Sequence, residues 1–274
     1  MFKIIIMALL IFIGMVGYDN ITDKAQPTTP VQQEQQKVSK HEKSAAMALF
    51  TSLLPPKEEW PSPVHKFYLA FNMDEVIDPI RQNPNWTSLD AMSRDIPQAL
   101  IAIEDHAFYN HGAIAVEGIL RAALANINAG EVVQGGSTLT QQFVKNVFLS
   151  HEQSMERKIE EAVLSLMLED NYSKDEILEL YLNTTYFGAG STGIRQASKT
   201  YFGKAPSALT LAEAAVIASL PYAPTGLNPL ENPEGCKKRQ LLVLAAMHKY
   251  GMINQGQLAE AKAEKIRLTN GTAM

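Results

Sequence analysis

Glu104 and Glu161 each stand inside a dense polar stretch. Glu104 opens Glu104-Asp105-His106-Ala107-Phe108-Tyr109-Asn110-His111, and Glu161 closes Arg157-Lys158-Ile159-Glu160-Glu161. Between them runs Gly135-Gly136-Ser137-Thr138-Leu139-Thr140-Gln141-Gln142. Two carboxylates flanking a donor-rich loop and a local cluster of cations suit glycosyl chemistry on an anionic leaving group. One carboxylate can take a proton while the cations meet the charge that develops.

Each stretch also has a plainer reading. On a helix around Arg157 to Leu168, Met155, Ile159, Ala162, Val163 and Leu166 share one face, which is expected to pack on the core. The opposite stripe, Arg157, Glu161, Leu164 and Leu168, turns apolar after one and a half turns. A solvent face would stay polar, so Glu161 is expected at the mouth of a cleft. Arg157 and Lys158 lie four and three residues before it and can reach it; the alternative is an ordinary surface ion pair. The loop at Gly135 leads into Leu139, Phe143, Val144 and Val147 at helical spacing. Its free backbone N–H groups and hydroxyls favour a phosphate, and Gln142, Lys145 and Asn146 extend the donor surface; the alternative is a tight turn with a Ser or Thr cap. No Gly-Lys-Ser/Thr follows, so it is not a nucleotide P-loop. The spacing of Glu104, Asp105 and His111 matches neither zinc nor calcium patterns. A base role for Glu104 is the more economical reading, with structural hydrogen bonding for His106 and His111.

The elements that must hold these groups are mostly helices. Pro97 opens a first turn before Ala99, Leu100 and Ile103. Ser173-Lys174-Asp175-Glu176 and Thr210-Leu211-Ala212-Glu213 are capping boxes. Arg239 to Tyr250 reads as a helix stopped by Gly251, and Gln255 to Lys265 as the last one. Strand patterns are scarce; Gly130 to Gly135 forms at most a turn or short hairpin. The chain has 274 residues, 46% of them hydrophobic, enough for a substantial core. Its net charge of −5 argues against a nucleic acid partner. Cys236 stands alone, which excludes an internal disulfide.

Ahead of the helices, an apolar run from Ile4 to Val16 follows Lys3. It falls between a signal-peptide core and a full span of about 20 residues. With no small-residue cleavage site after it, residues 1–19 read as an uncleaved anchor in preference to a removed signal. Residues 20–56 are polar and read as a flexible linker, with a short helix at Ala45 to Leu54. Residues 57–92 give no clear element. The folded domain is expected over 93–265, with a tail at 266–274.

The separate signals coincide in one family. The chain resembles the glycosyltransferase domain of penicillin-binding proteins and the monofunctional peptidoglycan glycosyltransferases, family 51. Its five motifs appear in order: Glu104-Asp105-x-x-Phe108-x-x-His111; Gly136-x-Thr138-x-x-Gln141-Gln142; Arg157-Lys158-x-x-Glu161; Lys174-x-x-Ile177-Leu178-x-x-Tyr181-Leu182-Asn183; and Arg239-x-x-x-Val243-Leu244. One departure follows His111, where Gly112 comes one residue early and Ala113 holds the family's glycine position; Ala115 replaces a polar residue often found there. The segment before Ser93 matches poorly.

The resemblance implies a mainly α, lysozyme-like helical glycosyltransferase domain with a small membrane-proximal subregion, behind an N-terminal membrane anchor. It implies lipid II and the nascent lipid-linked glycan as substrates, and an enzyme in the inner membrane with its catalytic domain in the periplasm. Glu104 would be the general base, with Glu161 as the second catalytic carboxylate orienting cations and pyrophosphate through a water or a divalent ion (Mg or Mn). Ser137, Thr138, Gln142, Lys145, Asn146, Arg157 and Lys158 would bind substrate. Asp105, Phe108, His111, Lys174, Asn183 and Arg239 would support the cleft. No cofactor is required, and cell-wall synthesis or division proteins are the expected protein partners. No Ser-x-x-Lys set of a transpeptidase is present, so the chain reads as monofunctional or as part of something longer. A lytic transglycosylase or lysozyme-like muramidase, and a non-catalytic lipid II-binding scaffold, are the rival readings.

Overall fold

Helices fill the second of two units into which the chain divides, Met1–Leu69 and Ala70–Met274. The computed structural model describes residues 68–69, 72–129, 135–150 and 154–274. The expected anchor, linker and Ala45 to Leu54 helix lie outside these residues, as does the Gly130 turn up to Gln134. In order come α1 (Asp74–Arg81), α2 (Asp95–Glu104), α3 (Val116–Ala129), α4 (Leu139–Phe148), α5 (Met155–Asn171) and α6 (Lys174–Thr184). They are followed by α7 (Ile194–Phe202), α8 (Leu211–Ser219), α9 (Pro233–Lys249) and α10 (Gln255–Ala263). Among the described residues there is no strand, only the bridges Tyr186–Thr192 and Arg267–Ala273. The mainly helical expectation holds.

Two groups of helices pack. In one, α8 lies against both α2 and α9, which also touch each other, and α10 backs α9. Every residue of α8 from Ala212 to Ser219 is buried. Its four alanines leave room for neighbouring backbones, while Val216 and Ile217 fill the gaps, each contributing about 1.5–3 kcal/mol of burial. In the other group α4 packs on α5 and α6. The capping boxes at Ser173 and Thr210 form as the sequence predicts. α9 begins at Pro233, six residues before the expected Arg239, because Asn232 caps it and proline suits a first turn.

The face of α5 is the reverse of the expected one. Glu161, Leu164, Ser165 and Leu168 are buried, whereas Met155 is 76% and Ile159 58% exposed. Both stripes of this helix carry apolar residues, so periodicity alone does not choose between them. The choice falls to the charged end: Arg157 and Lys158 neutralise Glu161, and a neutralised carboxylate can enter the interior.

The segment before Ser93, which gave no element from sequence, is strapped to the second helix group. The Glu179 carboxylate accepts from Trp86 Nε1 (3.1 Å) and Leu89 N–H (2.8 Å). Asn183 accepts from Thr87 N–H (2.9 Å) and donates to the Thr87 carbonyl (2.8 Å). Arg195 donates to the Thr87 hydroxyl and the Trp86 carbonyl, both at 3.1 Å. Beside this strap Gly193 has φ 86°, and a Cβ there would sit 2.7 Å from the Asn183 carbonyl oxygen, so only glycine fits.

Candidate active site around α4

Glu104 is the last residue of α2, where the helix end carries partial negative charge and a carboxylate depends on donors. Gln142 of α4 supplies one: its Nε2 donates to Glu104 Oε2 at 3.0 Å. The Gln142 carbonyl in turn accepts from the Tyr181 hydroxyl of α6 at 3.0 Å. Gln142, Lys145 and Asn146 stand at i, i+3 and i+4 on α4 and share a stripe. Lys145 and Asn146 are exposed.

After Glu104 the chain turns, and Asp105 fixes the turn from both oxygens. Oδ1 accepts from His111 Nε2 at 2.6 Å, and Oδ2 from Leu139 N–H, the first residue of α4, at 3.1 Å. Phe108 is fully buried, its ring covered by the Lys174 ammonium 4.3 Å from the centroid. Ala113, at the family's glycine position, does not have positive φ, so its backbone does not require glycine. His106 stacks on Tyr250 with ring centroids 4.1 Å apart. Burial first, then Arg121, lowers its pKa against the opposing pull of Asp105.

The start of α4 departs from the expected phosphate cradle. Thr138 is 2% exposed, its hydroxyl accepts from Gln141 N–H (3.1 Å) and donates to the Ala113 carbonyl (2.8 Å). The Gln141 side chain returns to Thr138 N–H at 3.1 Å, completing a capping box. With Asp105 on Leu139, three of the N–H groups here are taken by side chains. Thr138-x-x-Gln141 carries the signal for the capped alternative. Thr138 is a cap.

Glu161 is 1% exposed and meets two cations, Lys158 Nζ at Oε1 and Arg157 Nη1 at Oε2 (3.4 Å). Lys158 also donates to the Ser137 hydroxyl at 3.1 Å, just ahead of α4. The Arg157 Nε is buried with no partner among the described residues. Glu104 therefore reaches α4 through Gln142, and Glu161 reaches Ser137, two residues ahead of α4, through Lys158. A divalent ion fits poorly at Glu161: both oxygens already face cations, and no group of three His, Cys, Asp or Glu gathers among the described residues.

The supporting residues lie at varied distances from this cluster. Lys174 pairs with Glu169 (2.6 Å), which also accepts from the Thr140 hydroxyl (2.6 Å), tying α4, α5 and α6 together. Asn183 serves the strap at Thr87. Arg239 stacks on Tyr222 at 4.1 Å, on the first half of α9. Cys236 is buried beside Ser219, and burial pushes its thiol up to about 11, so it is an inert core residue. Tyr181, Glu169 and Glu179 carry no site role in the sequence reading; their bonds to Gln142, Thr140 and Trp86 span 39, 29 and 93 residues of chain, where spacing gives no cue.

Residues 73–248 match the family model described as Transglycosylase. The match takes in the strapped segment ahead of Ser93. Penicillin-binding protein 1A of Neisseria flavescens is 44% identical over 185 residues, covering 68% of this chain and 23% of that protein. A putative transglycosylase of Cupriavidus necator is 40% identical over 194 residues, covering 71% of this chain and 84% of that one. A solved structure of penicillin-binding protein 1A from Haemophilus influenzae is 33% identical and covers 48% of this chain and 16% of that chain, with a TM-score of 0.34. The chain thus spans about a quarter of the penicillin-binding proteins it matches and most of the Cupriavidus protein. A helical scaffold carrying these motifs defines a glycosyltransferase enzyme. The chain belongs to the transglycosylase family and is similar to the matching region of penicillin-binding proteins 1A.

Proposed function

We propose that this chain polymerises lipid II into β-1,4-linked glycan strands and releases undecaprenyl pyrophosphate. The observation that carries the reading is the convergence on α4 of Glu104, held by Gln142, and of Glu161 with its two cations, linked through Lys158 to Ser137. Glu104 takes the proton of the acceptor's 4-hydroxyl as that oxygen attacks the donor's anomeric carbon. The bond to the pyrophosphate oxygen breaks on the opposite face, and the configuration inverts from α to β. A positioned base of this kind contributes about 10²–10⁴ in rate.

The departing pyrophosphate carries its charge toward Lys145, Arg157 and Lys158. Arg157 Nε, buried without a partner among the described residues, is a donor left for one of its oxygens. Glu161 acts through the cations: it fixes Arg157 and Lys158 before the charge arrives, which is what makes their stabilisation effective. Ser137, Gln142 and Asn146 complete the polar wall, and Thr138 holds the wall in place. A hydrolase needs no such clamp, which favours transfer over a lytic activity. We place the domain over 93–265, joined by the strapped segment from residue 73, within a lysozyme-like arrangement, on the periplasmic side of an inner-membrane anchor at residues 1–19. Among the described residues no helix is long and apolar enough to cross a membrane.

The test is incubation of the purified chain with labelled lipid II, followed by gel separation of products. Long glycan is expected from the wild type and none from Glu104→Gln. Polymerisation by Glu104→Gln at the wild-type rate removes the base assignment, and cleavage of preformed glycan by the wild type removes the reaction class.

A further inference from the structure

We infer that Tyr181 is a positioning residue for the base: its phenol holds the Gln142 amide so that the NH2 group, and not the carbonyl, faces Glu104. The inference rests on the reading of Glu104 as the general base. Tyr181 stands on α6, which packs on α4, and its side chain is buried at 1% exposure. Its hydroxyl donates to Gln142 Oε1 at 3.0 Å, and Gln142 Nε2 donates to Glu104 Oε2 at 3.0 Å. The amide has one accepting end and one donating end, and this chain uses each once.

The alternative amide orientation would bring Oε1 against an ionised carboxylate, two acceptors at hydrogen-bond distance with no proton between them. The phenol disfavours that turn further, because it would lose the oxygen to which it donates. It can make this choice only while it keeps its proton. Burial first, and the charge of Glu104 second, push the phenol's pKa well above its ordinary value, against a smaller opposing pull from the Thr185 hydroxyl. Tyr181 therefore stays a donor wherever the base is ionised. It touches neither substrate nor reacting atoms; it acts through Gln142.

With phenylalanine at 181 the ring remains in its packing, but Gln142 Oε1 loses its partner and the amide is free to turn or swing away. Glu104 then loses both a donor and a restraint. The experiment compares wild type, Tyr181→Phe, Gln142→Met and the double variant on labelled lipid II across pH, with thermal melts to confirm folding. The expected result for Tyr181→Phe is a fall in kcat of roughly ten- to a hundred-fold, the range of one hydrogen bond to a charged group. KM should stay within about twofold, and the acid limb of the pH–rate profile should move to higher pH. In the Gln142→Met background the same change at 181 should cost almost nothing, since its route to Glu104 is gone.

4-Fluorophenylalanine at 181 fills the hydroxyl's space without a donor and replaces Tyr181→Phe if that variant melts early. 4-Aminophenylalanine restores a donor and should restore most of kcat. An unchanged kcat and acid limb in the folded Tyr181→Phe, or an equal loss in both backgrounds, overturns the inference. A wild type that polymerises beside such variants leaves the proposed function standing; a wild type that leaves lipid II unchanged sinks that reading and this one with it.

Discussion

His111 bridges Asp105 and Gly112 with both ring nitrogens: Nε2 lies 2.6 Å from Asp105 Oδ1, and Nδ1 2.6 Å from the Gly112 carbonyl oxygen. The Gly112 carbonyl can only accept and a carboxylate accepts when ionised, so this geometry favours the cationic ring, in which both nitrogens donate. The bond to Asp105 is the main cause of its raised pKa. Burial pulls the other way, the Gly112 carbonyl adds to the rise, and Lys174 subtracts. The same Asp105 caps the first N–H of α4. The turn after the proposed base is therefore pinned by a proton that can be removed.

A histidine whose folded pKa lies above its unfolded value contributes stability that is fully present below the unfolded pKa, about 6.5. That contribution is lost as pH rises through the folded pKa. The melting temperature of the wild type should exceed that of His111→Gln most at mildly acidic pH, with the gap narrowing as the solution becomes alkaline. A gap that stays constant from pH 5.5 to 9 would show that the imidazolium is not what holds the turn.

Ser137 and Thr138 are neighbours with opposite duties. Thr138→Val removes a helix cap and leaves the Ala113 carbonyl without its partner. Loss of the cap alone costs about 1 kcal/mol, and the orphaned buried carbonyl adds about 1–3 kcal/mol. Ser137→Ala removes only the contact with Lys158 and should change stability by less than about 0.5 kcal/mol. Urea unfolding should separate the two. Turnover should show the reverse emphasis, with Ser137→Ala lowering kcat/KM in a fully folded protein.

What the sequence revealed was local. Ser173 and Thr210 announced their helices because a capping box is closed within four residues, and Arg157 and Lys158 announced their pairing with Glu161 because one helical turn joins them. What it hid was assembled over distance. The buried face of α5 depended on whether the Glu161 charge would be neutralised, which periodicity does not encode. Tyr181 and Glu179 meet their partners across 39 and 93 residues of sequence. At Thr138 the sequence offers two readings, a ligand donor and a helix cap, and the structure shows the hydroxyl engaged in the cap and on the Ala113 carbonyl.

Glu169 and Lys174 form an ion pair under the Phe108 loop, with side chains only 7% and 19% exposed. Removing one partner from so sheltered a pair costs more than the pair itself contributes, because the other charge is left buried. Lys174→Met should destabilise by about 2–4 kcal/mol, and adding Glu169→Gln should recover much of the loss. Chemical denaturation of the single and double variants gives both numbers. A double variant less stable than Lys174→Met would mean that the carboxylate at 169, with the Thr140 hydroxyl, is needed for its own sake.

The helix α3 presents Val116, Ile119, Leu120 and Ile127 to the exterior. At 100° per residue these four fall within one face, and Met155 and Ile159 at the start of α5 are exposed as well. Single exposed apolar residues need no explanation, but an apolar helix face suits the interfacial zone of a bilayer. The proposed lipid II substrate, with its polyprenyl tail in the bilayer, would reach the enzyme from that zone. Replacing Ile119 and Leu120 with serine should therefore slow polymerisation of lipid II embedded in vesicles several-fold and leave the rate on detergent-dispersed lipid II nearly unchanged. The melting temperature should hold or rise, since the two side chains are already in contact with solvent. An equal loss in vesicles and detergent would assign this face to the fold or to substrate contact, and not to the membrane surface.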